Sequence, residues 1–387
     1  MDEPKAEREG FVLTPWAAEG PIDYQRLIKE FGTQPLDSEL ARRLERLAGE
    51  RHFMLERGVF YSHRDLDVLL SEHEQGEKFF LYTGRGPSGP MHLGHIIPFY
   101  FTAWLQRRFK VNAYIPLTDD EKFLEKERNL SLEEARRWAL DNALDIAAAG
   151  FDPDRTFIYV ESDYVGHIYR LALKVARRIN FSAARAIFGF SGETNIGFIF
   201  YPALQIVPTF FEGGRCLIPA GIDQDPFWRL QRDLAPGLGY RKAAQIHGKL
   251  LPGLLGVGTK MSASKPETAI FLTEGPSEVR EKIWKHAFSG GRATVEEHRR
   301  LGGNPDIDVP YQWLHMFFEP SDKRLERIRE EYVSGRLLSG ELKEILIEKV
   351  NAFLEEHRAK REQARELLPL FMKEGKLASA MLARVYE

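Results

Sequence analysis

The 387-residue sequence has a single cysteine, no long apolar run and almost no net charge. One cysteine, Cys216, excludes an internal disulfide framework and a metal site made of cysteines alone, and it is compatible with a reducing cytoplasm. No apolar stretch is long enough to span a membrane, and the charged first residues lack the apolar core of a signal peptide. With a formal net charge of −3, nucleic-acid binding would depend on local basic patches. We therefore expect a cytoplasmic protein without zinc or an iron–sulfur cluster.

From residue 79 onward, short apolar runs alternate with stretches of helical spacing. This alternation is typical of an α/β protein with a parallel sheet, whose ligands bind outside the carboxyl ends of the strands. The letters S-L-E-E at residues 131–134 form a capping box, which marks the start of a helix. The spacing predicts strands at 79–83, 111–117, 156–160 and 215–219, and helices at 92–109, 131–149, 163–180 and 224–234.

The strand pattern ends near residue 276, and helical spacing follows, for example at Leu342, Ile345 and Leu346. We predict an N-terminal appendix at 1–60, a Rossmann-like α/β domain with connecting helices at 61–280 and a helical C-terminal domain at 281–387. Within the appendix, residues 10–16 are predicted to form a strand or hairpin arm, and residues 23–57 contain helical patches.

The glycine-rich turn at residues 84–89 is the first functional signal. It follows a predicted strand and precedes a helix that opens with the pattern H-x-G-H. A helix N-terminus presents unpaired N–H groups and the positive end of a dipole, both of which favour phosphate. His92 and His95 share one face of the first turn, where two imidazoles can donate to a polyphosphate whose charge grows in a transition state. Helix capping or plain surface exposure is the alternative interpretation of both histidines.

The second signal is K-M-S-x-S at residues 260–264, within a glycine-rich loop. Lys260 supplies a point charge for phosphate, and Ser262 and Ser264 supply hydroxyl and backbone donors. An ordinary surface loop is the alternative. The occurrence of both motifs, in this order, argues against it.

Together these motifs resemble the HIGH and KMSKS signatures of the class I aminoacyl-tRNA synthetases, and the chain is similar to the tryptophanyl-tRNA synthetases of the archaeal and eukaryotic type. The resemblance extends from about Phe11 to the C-terminal helices. It depends on five strings: Y-T-G-R-G-P-S at 82–88, L-T-D-D-E-K at 117–122, A-G-I-D-Q-D-P at 220–226, K-M-S-A-S at 260–264 and H-A-F-S-G-G-R at 286–292.

The resemblance implies activation of an amino acid by ATP, with Mg²⁺ on the phosphates, and transfer to the 3′ end of tRNA. Catalysis is then mainly positioning and charge stabilisation. The second lysine of the family motif is Ala263 here, so we expect phosphate charge from Lys122, with Arg85 as a second source. A salt bridge with a neighbouring acid is the alternative for Lys122. The implied catalytic residues are His92, His95, Lys260 and Lys122, and the implied ATP-binding residues are Arg85, Gly86, Gly94, Asp223, Met261, Ser262 and Ser264.

A tryptophan pocket needs an apolar slot, an acceptor for the indole N–H and acceptors for the ammonium group. The resemblance assigns Tyr82 to the indole and Glu121, Gln205 and Gln224 to the amino-acid site. In eukaryotic relatives a second polar indole contact belongs to the position of Pro116, and proline offers no polar side chain there. Either another residue works with Tyr82, or the pocket selects by shape.

For tRNA, the resemblance implies an anticodon-binding C-terminal domain and a homodimer. The turn at 302–309 contains carboxylates that can read cytosine amino groups. We predict Asp306 and Asp308 as readers and Arg299 and Lys323 as backbone contacts, and loop capping by the acids is the alternative. The aromatic-rich helix at 96–109 is a candidate dimer face or, as such stripes more often are, part of the core.

Three other functions remain open at this point. A tyrosine–tRNA ligase would need polar partners for a phenol hydroxyl. A small-molecule nucleotidylyltransferase shares the H-x-G-H logic but has neither K-M-S-A-S nor a helical C-terminal region of this size. A synthetase-like RNA-binding or signalling protein would not need an intact His92, His95 and Lys260.

Overall fold

The computed structural model describes residues 12–13, 18–19, 22–261 and 265–386. Chain contacts divide it into two compact units. The sheet unit contains residues 33–249, 271–274 and 352–386, and the helical unit contains the described residues up to 32, those of 250–270 and residues 275–351. The domain boundaries at 60 and 280 remain a prediction about functional parts.

Short strands occur mainly in the sheet unit. The described strands are β1 (Val12–Leu13), β2 (Ala18–Glu19), β3 (Gln34–Pro35), β4 (Phe60–Arg64), β5 (Phe79–Tyr82), β6 (Ala113–Leu117), β7 (Thr156–Val160), β8 (Arg215–Gly221) and β9 (Ala244–Gly248).

Helices make up most of the remaining structure. They are α1 (Tyr24–Phe31), α2 (Ser38–Ala48), α3 (Phe53–Glu56), α4 (Leu66–Glu74), α5 (Leu93–Phe109), α6 (Asp119–Leu124), α7 (Leu132–Ala148), α8 (Glu161–Ala176), α9 (Phe181–Phe188), α10 (Ile196–Ile206), α11 (Asp225–Leu234), α12 (Pro276–His286), α13 (Val295–Leu301), α14 (Val309–Trp313), α15 (Asp322–Val333), α16 (Ser339–Pro369) and α17 (Lys376–Leu382). Within the described residues, no helix combines the length and apolar character needed to cross a bilayer.

The sheet has the order β3-β4-β9-β8-β5-β6-β7. Strands β9, β8, β5, β6 and β7 run parallel, whereas β4 is antiparallel to β9 and β3 to β4. The four predicted strands are confirmed as β5, β6, β7 and β8, neighbours in the middle and at one edge of the sheet. Their carboxyl ends therefore lie along one edge of the sheet, where α/β proteins bind ligands.

The sequence pattern overlooked β4 and β9 because both contain polar residues. Ser62 Oγ lies 2.8 Å from His247 Nδ1, and His247 Nε2 lies 2.9 Å from Gln245 Oε1, all buried inside the sheet. Burial lowers the pKa of His247 to about 3, so the ring is neutral in the folded protein at neutral pH.

The predicted helices are confirmed with small shifts at their ends. Ser131 and Glu134 form the expected capping box at the start of α7, with Ser131 N donating to Glu134 Oε2 at 2.9 Å. Helix α8 begins earlier than predicted, at Glu161, and ends at Ala176. The aromatic side chains of α5, among them Phe101 and Trp104, are mostly buried within the sheet unit, so they belong to the core and give no support to a dimer face.

The helical unit confirms that helices follow residue 276. Apolar residues of α12, α14, α15 and the first part of α16 are buried in it, and Trp313 Nε1 donates to Pro252 O at 2.9 Å. The predicted hairpin arm appears as the antiparallel pair β1 and β2.

Candidate active site

The glycine turn extends the sheet beyond the end of β5. Arg85 N donates to Pro116 O, and Thr118 N donates to Arg85 O, each at 3.0 Å. The Arg85 guanidinium donates to Asn142 Oδ1 at 3.2 Å, and Asn142 Nδ2 donates to Gly89 O at 3.1 Å. Burial lowers the pKa of Arg85 to about 10, which still leaves a positive charge beside the turn at neutral pH.

The two motif histidines stack on each other at the start of α5. Their ring centroids lie 3.4 Å apart, and His92 N donates to His95 Nδ1 at 3.3 Å. His92 is the N-cap residue and is buried, whereas His95 is partly exposed. Gly94, the second residue of the helix, is also partly exposed. The two imidazoles thus lie together at one helix N-terminus, as the phosphate prediction requires.

The T-D-D-E-K string forms the start of α6. The sequence predicts phosphate charge from Lys122, but its ammonium lies 2.9 Å from Glu121 Oε1 and 3.0 Å from Glu125 Oε2. Thr118 Oγ1 donates to Glu121 Oε2 at 2.9 Å. A Cβ on Gly86 would overlap with Lys122 Cε, so a larger residue there would displace the Lys122 side chain. In this structure the charge of Lys122 is shared by two carboxylates, which matches the salt-bridge alternative.

The predicted indole and ammonium residues are brought together. Tyr82 Oη donates to the backbone oxygen of Gln205 at 3.2 Å, and Tyr201 donates to the Gln205 side-chain oxygen. The ring of Trp228 meets that of Tyr82 edge-on, with centroids 5.1 Å apart. All four side chains are buried, so the predicted tryptophan pocket is surrounded by aromatic rings and a few polar atoms, the usual composition of a small-molecule site.

A group of buried acids adjoins this pocket, and sequence reasoning overlooked one of them. Asp119 accepts from Ser162 N at 3.0 Å and from Ser162 Oγ at 2.5 Å. Burial, followed by the charge of Asp119, raises the pKa of Asp120 to about 7. Glu161, directly after β7, is fully buried, and burial followed by the charge of Asp120 raises its pKa well above the usual range. Its position at the carboxyl end of a predicted parallel strand was the available signal.

Asp223 and Gln224 lie at the carboxyl end of β8. Both are partly exposed, and Gln224 Nε2 donates to Asp223 Oδ2 at 3.0 Å. They belong to the sheet unit and follow a strand next to β5, as the ribose and amino-acid assignments require. Their roles remain predictions.

The K-M-S-A-S motif belongs to the helical unit. Lys260 is exposed and forms an isolated antiparallel bridge with Pro252, and Met261 is buried. The predicted phosphate donors Ser262 and Ser264 lie outside the described residues.

The predicted anticodon loop gives a mixed result. Asp308 is 1% exposed, and its carboxylate accepts from Gly290 N, Tyr311 N and Tyr332 Oη at 2.8, 3.0 and 2.7 Å. This matches the capping alternative and leaves no free edge for a base.

The other three predicted anticodon residues are all exposed. Arg299 Nη1 donates to Gly335 O at 3.0 Å and so helps hold the neighbouring turn. Asp306 and Lys323 are exposed.

An open groove of about 440 Å³ in the helical unit was not predicted. Its most accessible ring is Trp284, 43% exposed, whose Nε1 donates to Glu344 at 2.7 Å. The side chains of Arg292 and His298 also line it. A half-exposed tryptophan beside a cation suits stacking on an unpaired base.

Among the described residues, no group of three or more histidine, cysteine, aspartate or glutamate side chains is arranged to hold a metal ion.

Comparison with known proteins identifies the family. A family model described as class I tRNA synthetases (W and Y) matches residues 74–355. The chain is 57% identical to the tryptophan–tRNA ligase of Sulfolobus acidocaldarius and 56% identical to that of Saccharolobus solfataricus, covering 98% and 97% of this chain and 99% of each relative. Among solved structures, it resembles a tryptophanyl-tRNA synthetase from Encephalitozoon cuniculi bound to tryptophan, with a TM-score of 0.85 and 39% identity over 92% of this chain and 99% of that one. The chain therefore belongs to the class I tRNA synthetases of the tryptophan and tyrosine family.

Proposed function

We propose that this chain is a tryptophan–tRNA ligase, which activates L-tryptophan with ATP and transfers it to tRNA. The observation that carries the proposal is its identity of 56–57% to curated tryptophan–tRNA ligases over nearly their full length. The aromatic pocket around Tyr82 agrees with an indole substrate, and the helix N-terminus at His92 agrees with a triphosphate.

The first step joins the tryptophan carboxylate to the α-phosphorus of ATP and releases pyrophosphate. We assign His92, His95 and Lys260 to the negative charge that grows on the phosphates, and Arg85 to a nearby stabilising charge. Asp223 holds ribose, Gly86 and Gly94 allow close approach, and Met261, Ser262 and Ser264 border the nucleotide. Mg²⁺ on the ATP phosphates neutralises part of the charge.

Lys122 takes a revised role in this proposal. Its contacts with Glu121 and Glu125 make it a support for the ammonium site, because it holds the Glu121 carboxylate in place. Glu121, Gln205 and Gln224 then receive the substrate ammonium, and Tyr82 receives the indole N–H.

For the second step, we place anticodon recognition in the helical unit. Trp284 offers a stacking surface in its groove, Asp306 and Lys323 offer exposed polar contacts, and Arg299 and Asp308 keep the neighbouring loops in place. We further propose a cytoplasmic homodimer, as the family resemblance implies.

The deciding experiment is ATP–pyrophosphate exchange with the purified chain and each amino acid in turn, followed by charging of tRNA. Exchange driven by tryptophan and dependent on Mg²⁺ is expected. Exchange driven by tyrosine and absent with tryptophan would overturn the substrate assignment, and absence of exchange with every amino acid would overturn the enzymatic one. Light scattering at working concentration tests the dimer, which a monomeric mass would contradict.

A further inference from the structure

Two buried polar groups near the pocket have no hydrogen-bond partner among the described residues. They are the carboxyl of Glu161, whose two oxygens are both unpaired, and the hydroxyl of Tyr159. Glu161 is 0% exposed and Tyr159 is nearly so. Leaving such a group unpaired in the interior costs about 1–3 kcal/mol, so it calls for an explanation such as a missing ligand.

The sheet register puts the side chain of Tyr159 on the same face as that of Tyr82. Tyr82 is paired with Tyr114, and two residues further along β6, Pro116 is paired with Tyr159. Because side chains alternate along a strand, Tyr82, Pro116 and Tyr159 project from the same face of the sheet. Glu161 follows Tyr159 by two residues.

Distances around Gly84 show that Pro116 lies close to the Tyr82 hydroxyl. The position that a Cβ of Gly84 would take lies 3.3 Å from Pro116 Cγ and 3.7 Å from Tyr82 Oη. Pro116 therefore lines the space that the Tyr82 hydroxyl borders, and it offers no polar atom there. The carboxyl of Glu161 is close enough to this hydroxyl to raise the pKa of Tyr82 further, after burial, and it does the same for Tyr159.

The chemistry of Glu161 favours a neutral donor as its partner. Burial and then the carboxyls of Asp120, Asp119 and Glu121 raise its pKa well above the usual range, which favours the protonated form. A protonated carboxyl has a carbonyl oxygen that accepts and a hydroxyl that donates. An indole N–H is a neutral group that can only donate, and it matches that carbonyl oxygen. The substrate ammonium is better matched by an ionised carboxylate.

We propose that the Glu161 carboxyl is a second acceptor for the indole N–H of tryptophan, alongside the Tyr82 hydroxyl, with the Tyr159 hydroxyl as the neighbour of its other oxygen. This inference rests on the proposed function, since it concerns the same amino-acid site. It makes Glu161 a specificity-determining residue that selects an N–H group on the substrate ring.

The test compares L-tryptophan with β-(benzothiophen-3-yl)-L-alanine, in which sulfur replaces the indole N–H with little change of shape. ATP–pyrophosphate exchange gives kcat/KM for both substrates with the wild-type chain, Glu161→Gln and Glu161→Met. Glutamine keeps a carbonyl acceptor, and methionine has similar length without one. We expect Glu161→Met to lower the preference for tryptophan about five- to tenfold, as for the loss of one neutral hydrogen bond, and Glu161→Gln to retain most of it.

Two results would overturn the inference. In one, Glu161→Met leaves both kcat/KM values as they are in the wild-type chain; in the other, it lowers both by the same factor, which would assign Glu161 to the shared ammonium group. If the wild-type chain shows no tryptophan-dependent exchange, the proposed function itself fails, whereas normal exchange with an unchanged ratio removes only this inference.

A second measurement does not depend on the folding of the methionine variant. In the infrared difference spectrum of the wild-type chain, binding of tryptophan should shift a protonated carboxyl band that is absent from Glu161→Gln. The benzothiophene analogue should not cause this shift. Equal shifts with the two substrates would contradict the assignment.

Discussion

Glu161 in the sheet unit and Asp308 in the helical unit are both buried carboxyls, 0% and 1% exposed, yet their surroundings are opposite. Asp308 accepts from two backbone N–H groups and a tyrosine hydroxyl, whereas neither oxygen of Glu161 has a partner among the described residues. A carboxylate whose oxygens are all hydrogen-bonded within the protein stabilises its own loop, whereas one without such partners is available to a ligand. Sequence reasoning proposed Asp308 for recognition and overlooked Glu161, because hydrogen-bond saturation is not visible in sequence.

The largest expected effect is the loss of exchange activity when Lys260 is replaced. Lys260 is exposed, so Lys260→Ala should lower the exchange rate about 10²–10³-fold, equivalent to losing one transition-state donor, and leave the melting temperature nearly unchanged. Lys323→Ala, an exposed lysine of the same unit, is the control and should leave exchange intact. A near-normal rate in Lys260→Ala would remove this residue from catalysis.

Replacing Asp308, the carboxylate whose hydrogen bonds are saturated, should reduce the stability of the protein. Asp308→Ala leaves two buried N–H groups and a buried hydroxyl without their acceptor, so we expect a loss of about 2–3 kcal/mol in the free energy of unfolding. Asp306→Ala, two residues away and exposed, should change it by less than about 0.5 kcal/mol. Urea unfolding measures both. Normal stability of Asp308→Ala combined with poor tRNA charging would restore Asp308 as a base reader.

Variants of Trp284 test whether its groove binds tRNA, since Asp308 has a structural role. Trp284→Ala should weaken tRNA binding by about 1–2 kcal/mol, the value of one stacked base, and leave ATP–pyrophosphate exchange unchanged. Trp284→Phe keeps an aromatic face and should retain most of the binding. If alanine and phenylalanine are equally harmful, or neither matters, the groove does not stack a base.

A further prediction concerns the dependence of stability on pH. The unfolded chain releases the Glu161 proton near pH 4.3, but the folded chain keeps it because its pKa is raised. Between these two pKa values the folded state binds more protons, so wild-type stability falls as pH rises, by at most about 1.4 kcal/mol per pH unit. Glu161→Met has no such proton, and its stability relative to wild type should increase as the pH rises above about 5. A difference that does not change with pH would show that Glu161 ionises normally in the folded chain.

Gln106, a buried polar residue with hydrogen-bond partners, provides the matched control for Glu161. Gln106 donates to Thr156 Oγ1 at 2.7 Å and accepts from Asp152 N at 2.8 Å. Gln106→Leu should therefore destabilise the unliganded chain, whereas Glu161→Met should not. A loss as large in Glu161→Met as in Gln106→Leu would make Glu161 a structural residue and erase the contrast with Asp308.

Much of the fold followed from the sequence because its signals are local. Four strands are short apolar runs that end in glycine or polar residues, and their helices show clear spacing and, in α7, a capping box, so β5 to β8 and the main helices were predicted within a few residues. The H-x-G-H and K-M-S-A-S motifs could be recognised for the same reason, since each is a continuous string, and their phosphate roles remain predictions.

Tertiary structure decided the features that depend on partners distant in sequence. Strands β4 and β9 pair in the sheet with Ser62 and His247 bonded to each other across the two strands, although the polarity of these residues argues against buried strands. The partners of Glu161, Lys122 and Asp308 were likewise decided by the fold. Glu161 is unpaired within the described part of the chain, Lys122 is ion-paired and Asp308 is fully hydrogen-bonded, and the sequence letter alone does not distinguish these states. Residue type is fixed by the sequence, but the balance between desolvation and hydrogen bonding is set by which groups the fold brings within about 3 Å.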